Sequence, residues 1–202
     1  MSKPDEILIT FILNSLEATY WILVNVTDIL KELNNRVSYP LKLHTVRVYN
    51  RAKIITETLG EGLRHVGIQL KKPPSKEELS KRAEPFTTDI LEALKEAVEE
   101  IKNLNSKQNL NPLKLVFYLE RFREPLEATI NFFEHYKSAF EESNFPKKQH
   151  LTLALQIIID DLNIIKQKSQ KFIEDSHHCF DKQRYSPSFK LFNLFLVKFL
   201  ID

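Results

Sequence analysis

Wound at the helical period, the stretch Ile7 to Leu33, ILITFILNSLEATYWILVNVTDILKEL, carries apolar side chains around almost its whole circumference. A helix of that kind is buried, either by protein or by lipid. From Ile7 to Thr27 the one charge is Glu17, with Thr10, Asn14, Ser15, Thr19 and Asn25 spread around it. A carboxylate near the middle of a spanning segment costs roughly 2.5–3.5 kcal/mol, and no flanking basic cluster sets an orientation. Asp5 and Glu6 precede the run and no small-residue cleavage site follows it, unlike a secretory signal. The stretch is therefore read as the central helix of a bundle, with Phe11, Leu16, Leu23, Leu30 and Leu33 on its buried line and Trp21 and Tyr20 adding bulk to cover.

The same period continues along the chain. Ser2, Pro4, Asp5 and Glu6 fit the start of the first helix. After the turn Ser38-Tyr39-Pro40, Leu43, Val46, Tyr49, Ile54 and Leu63 outline a second helix from Leu41. Gly60, Gly62 and Gly67 fall near its far end, at a spacing that fits no nucleotide or phosphate loop. They predict a broken last turn, a close crossing of helices, or a hinge between 60 and 75. Pro73-Pro74-Ser75 ends that segment, and Ser75 with Glu78 has capping-box spacing for a third helix, interrupted or restarted at Pro85. Beyond Pro85, Phe86, Ile90, Leu94, Ala97, Ile101 and Leu104 mark one face.

The asparagine-rich stretch Asn103 to Asn111 reads as a loop. Pro112 opens a fourth helix with Leu119, Phe122, Leu126, Ile130, Phe133 and Phe140 on one side and Pro125 bending it. A fifth, from near Pro146, uses Leu151, Ala154, Ile158, Leu162, Ile165 and Phe172. A polar segment from Asp175 to Tyr185 follows. Ser186-Pro187 then starts a short last helix, where Phe189, Phe192, Phe195 and Phe199 recur at helical spacing and only Lys190, Asn193 and Lys198 interrupt the apolar surface. About 13 residues are too few to span a bilayer. That helix packs back on the bundle, docks on a partner or second copy, or lies on a membrane surface.

The pattern predicts an all-α protein: an antiparallel bundle of five long helices plus a short apolar C-terminal helix, as a single domain over 1–202. Composition agrees. Three glycines in 202 residues are few, and a chain of this length buries enough surface to fold without a metal or disulfide. The lone Cys179 suits a reducing, cytoplasmic setting. A net charge of +2 gives no general reason to expect nucleic acid, although the charge is unevenly placed.

From Leu41 to Lys72 seven bases face two acids, a net of +5, with His44, Arg47 and Arg51 on one helical face and Arg64 near the end. A nucleic acid or an anionic lipid surface would compensate that excess. So would the third helix, which from Lys76 to Leu104 carries eight acids and five bases. Glu96, Glu99 and Glu100 with Asp160 and Asp161 resemble a helical carboxylate metal site only loosely, because the register turns the glutamates away from the core and no Glu-x-x-His motif accompanies them. Asp161 sits where it can reach the core edge and pair with an arginine. Asp175-Ser176-His177-His178-Cys179 lacks a second ligand pair and a catalytic signature. His44, His65, His135 and His150 stand apart in the sequence. No metal, cofactor, small-molecule substrate or enzymatic activity is expected. The reading is a non-enzymatic protein–protein interaction or adaptor module, with Phe189, Phe192, Phe195 and Phe199 as anchors for a protein partner or homodimer. The alternative is an anion-binding helix using His44, Arg47, Arg51 and Arg64.

Overall fold

The structure is a computed structural model. It describes residues 3–36, 41–83 and 112–183 and the single positions Asp89, Glu92, Lys95, Glu96 and Glu99. The protein is all-α, and no strand occurs among the described residues. Among the described residues, four long helices are α1 (Lys3–Arg36), α2 (Leu41–His65), α4 (Pro112–Glu142) and α5 (Lys148–Gln183), with a two-turn α3 (Lys76–Arg82) between α2 and α4. Of the long third helix expected through Leu104, the described part is α3 and those five positions, each helical. The expected last helix lies outside the described residues.

Local chemistry sets the ends. Asp5 and Glu6 occupy the first turn of α1, where the dipole favours negative charge. α2 closes in a Schellman turn. Gly67 takes φ +95°, its N–H donates to the Arg64 carbonyl at 3.0 Å, and the Ile68 N–H donates to the Leu63 carbonyl at 3.0 Å. Ile68 then folds back against the core. The Ser75–Glu78 capping box forms as expected: the Glu78 N–H donates to Ser75 Oγ and the Ser75 N–H to the Glu78 carboxylate. Ala83 is already extended, two residues before Pro85. α4 runs on through Pro125, and α5 runs through the polar stretch from Asp175, where the sequence predicts its end. Between Lys148 and Gln183 there is no glycine or proline to stop the helix.

The long helices pack in antiparallel pairs. Tyr20 lies against Gly60 and Thr27 against Thr56, so α1 and α2 run in opposite senses. Arg51 meets Asp161 and Gly62 meets Ala154, which reverses α2 against α5. Lys166 meets Glu127 and Lys148 caps the Glu141 carbonyl, which reverses α4 against α5. The main core joins Ile9, Ile12 and Leu16 of α1, Leu59 and Leu63 of α2, Phe133 and Phe140 of α4, and Leu151, Leu155 and Ile158 of α5. A smaller cluster, Ile22, Val26 and Leu30, packs with Tyr49, Ala52 and Ala83.

Two expectations about burial are corrected. Phe11, expected on the buried line of α1, is 58% exposed, and Ile7 and Leu8 are exposed beside it. The buried line instead runs through Ile9, Ile12, Ser15, Leu16, Thr19, Ile22, Val26 and Leu30. On so uniformly apolar a helix, hydropathy cannot tell one side from another, and the neighbours decide. Likewise Ile54 of α2 is 50% exposed while Ile55, Thr56 and Leu59 are buried. The threonines that face neighbouring helices satisfy their hydroxyls locally: Thr19, Thr27, Thr56 and Thr129 each donate to the carbonyl four residues back.

The glycines of α2 explain how it comes so close to two neighbours. A Cβ at Gly60 would stand 2.8 Å from the Tyr20 ring, and one at Gly62 would stand 2.9 Å from Ala154 Cβ and 3.1 Å from Leu151 Cδ1. Alanine in place of glycine gains up to about 1 kcal/mol of helix propensity. Overpacking costs about 1–3 kcal/mol, and the Ala154 methyl is fixed to its backbone and cannot swing aside. Gly62→Ala is therefore expected to lower the unfolding free energy by about 1 kcal/mol in urea titration. Combined with Ala154→Gly, it should cost less than the two single changes added together. Strict additivity would show that the two positions do not touch.

Candidate functional site

The sequence points to two candidate sites, and the structure treats them differently. Phe189, Phe192, Phe195 and Phe199 lie outside the described residues. The basic set lies on α2, within the described helix, although the His44 side chain is not among those described.

Arg47 and Arg64 are exposed, Arg64 in the last turn of α2 where a cation suits the helix dipole. Arg51 is committed. Its Nη1 donates to Asp161 Oδ1 at 2.6 Å, across the α2–α5 contact, with the arginine side chain 42% and the aspartate side chain 19% exposed. This is the arginine partner that the position of Asp161 predicts. The helix that answers Arg51 is thus α5; the third helix, which the sequence offers against the basic excess, lies mostly outside the described residues. Its described turn, α3, packs on α1: Arg82 Nη1 stands 3.8 Å from Glu17, giving the lone charge in the apolar run of α1 a partner. Glu96 bonds Arg121 of α4 at 2.7 Å.

The acidic residues do not converge. Asp161 is held by Arg51, Asp160 accepts from Gln156 Nε2 at 2.8 Å, Glu96 faces Arg121, and Glu99 is exposed. Glu100 lies outside the described residues. Among the described residues no three His, Cys, Asp or Glu side chains come together to hold a metal ion. His177, His178 and Cys179 fall on the last turns of α5, and their side chains are not described. A different carboxylate is perturbed. Lys166 Nζ donates to Glu127 Oε1 at 2.6 Å, and this bond, with the lysine charge and a smaller contribution from Arg123, holds the Glu127 carboxyl below the ordinary carboxylate range. A lowered folded value means that the pair contributes fully at neutral pH and is lost as pH falls through that value.

One contact has no counterpart in the sequence pattern. His65, at the end of α2, stacks on His150, in the first turn of α5, with ring centroids 4.6 Å apart and planes 7° from parallel. His65 Nδ1 lies 2.8 Å from the Glu61 carbonyl and donates to it when that nitrogen carries the proton. Both rings are exposed, and their nearly parallel planes do not aim two nitrogen lone pairs at one point. Residues 85 apart in the chain meet because α2 ends where α5 begins. Two buried polar atoms, Ser15 Oγ and Trp21 Nε1, make no hydrogen bond, and the Trp21 ring packs edge-on to Tyr20 with centroids 5.1 Å apart.

Comparison with protein-family models, with curated proteins and with solved structures finds no match.

The Arg51–Asp161 pair is a direct polar contact between α2 and α5. Because the arginine is only half-buried, its worth is that of a surface pair with good geometry. Asp161→Ala is expected to cost about 0.5–1 kcal/mol of stability at low salt, with the difference from wild type narrowing as salt is raised. Equal stabilities at low salt would show that the pair contributes nothing.

Proposed function

We propose that the chain is a non-enzymatic helical module whose work is binding another protein. Its full form in this reading is an antiparallel bundle of five long helices with a short apolar helix at the end, acting in the cytoplasm. The observation that carries the proposal is the contrast between core and surface. The described helices bury Phe133, Phe140, Leu16, Leu59 and Leu155 against one another. They nevertheless leave eight large apolar side chains exposed, from Ile7, Leu8 and Phe11 on α1 to Leu153, Ile157 and Ile164 on α5, with Val48 and Ile54 on α2. Exposed apolar side chains grouped on helix faces mark interaction sites more often than scattered single ones do. Phe189, Phe192, Phe195 and Phe199 supply the aromatic anchors such a contact uses.

Anion binding through α2 has less support. Arg51 is held by Asp161, and Arg47 and Arg64 stand seventeen residues and about 25 Å apart along the helix. A single phosphate group would not engage both.

A chain ending at Tyr185 tests the role of the last segment. It is expected to keep its helical circular dichroism and a cooperative melt, and to lose the protein partner that the full chain retains on affinity capture. Global unfolding of the shortened chain would make the segment part of the core and remove the proposed anchors.

A further inference from the structure

Half of the exposed large apolar side chains described lie on one side of the molecule. On α2, Arg47, Arg51, Ile54, Thr58 and Glu61 follow one another at alternating steps of four and three, the spacing of a helix–helix seam. Arg47, Ile54 and Glu61 are exposed, and Arg51 and Thr58 are half-buried. On α5, Leu153, Ile157 and Ile164 form a parallel stripe, 61%, 42% and 38% exposed. Arg51–Asp161 and His65–His150 tie the two helices together between these stripes, so the stripes form one two-helix face. From Arg47 to Glu61 it is about 21 Å long, and two helices side by side are about 20 Å wide. That footprint, about 420 Å² on each subunit, is the size of a weak, reversible contact.

Among the described residues outside α2 and α5, α3 sits beside Glu17 of α1, and Glu96 meets Arg121 of α4, both away from this face.

The face is complementary to itself. Along the α2 seam the bases Arg47 and Arg51 come first and the acid Glu61 last, with Ile54 midway between Arg47 and Glu61, while Arg64 follows off the seam in the last turn. The contacts Arg51–Asp161 and Gly62–Ala154 set Ile54 level with about residue 159 of α5, close to the midpoint of Leu153 and Ile164. One two-fold axis across the helices at Ile54 therefore relates both stripes. We propose that this α2–α5 face joins the same face of a second copy about that axis. α2 then runs antiparallel to its counterpart, Ile54 meets the partner's Ile54, Arg47 meets the partner's Glu61, and Leu153 meets the partner's Ile164. An isologous contact of this kind closes at two subunits. It shares exposed side chains of α2 and α5 with the proposed binding function but does not use the phenylalanine segment, so a chain ending at Tyr185 that keeps the dimer and loses a bound protein separates the two.

Sedimentation equilibrium of the full chain tests it, with circular dichroism to confirm the fold of each variant. Wild type is expected to be dimeric at about 10 μM. Ile54→Glu, at a position exposed in one chain, should raise the dissociation constant at least about tenfold by setting two carboxylates against each other. Arg47→Glu should weaken the dimer, and adding Glu61→Arg should restore it, because the axis places each position opposite the other. A monomeric wild type, a dimer unchanged by Ile54→Glu, or a charge swap that restores nothing would overturn the proposal. So would a dimer lost in the chain ending at Tyr185, which would assign the contact to the phenylalanine segment.

Discussion

The packing of this protein depends on how closely α2 approaches the helices on either side of it. At Gly60 and Gly62 there is no room for a Cβ: the Tyr20 ring of α1 fills the space on one side, and Ala154 and Leu151 of α5 fill it on the other. With α2 held there, Leu59 and Leu63 are carried into full burial in the core that holds Leu16 and Leu155, and α5 brings α4 with it through Phe133 and Phe140. By hydropathy the central helix is α1. By contact it is α2 that stands between α1 and α5.

Much of this was legible in the sequence. The all-α class, the starts of α2 and α4, the Ser75 capping box and the Asp161–arginine pair follow from period, proline and capping chemistry that act within a few residues. The glycine cluster was legible as a close crossing or a broken turn, and both occur, at Gly60 and Gly62 and at Gly67. What could not be read was the side each helix turns to its neighbours. On α1 almost every face is apolar, so nothing local distinguishes Phe11, which is exposed, from Ile12, which is buried. α5 outruns its expected end because polarity marks exposure, whereas a helix ends where glycine, proline or a cap ends it. The His65–His150 stack needs the α2–α5 pairing, which no local signal supplies.

The charge pattern shows the same dependence on neighbours. The basic excess of α2 invites a reading in terms of nucleic acid or lipid. In the fold, Arg51 is answered by Asp161, Lys53 lies 3.6 Å from Glu57, and Glu96 of the third segment is directed to Arg121 of α4. Along its seam, α2 is basic at one end and acidic at the other, with an exposed isoleucine between.

If α2 is the element on which the packing depends, its amides open only when the domain does. Amide hydrogen exchange followed residue by residue measures this directly. Ile55 to Leu63 are expected to exchange slowest, at rates shared with Ser15 to Ile22 of α1 and Leu151 to Leu162 of α5. Faster exchange across Ile55 to Leu63 than in α4 and α5, leaving those two protected as a pair on their own, would contradict a packing that depends on α2.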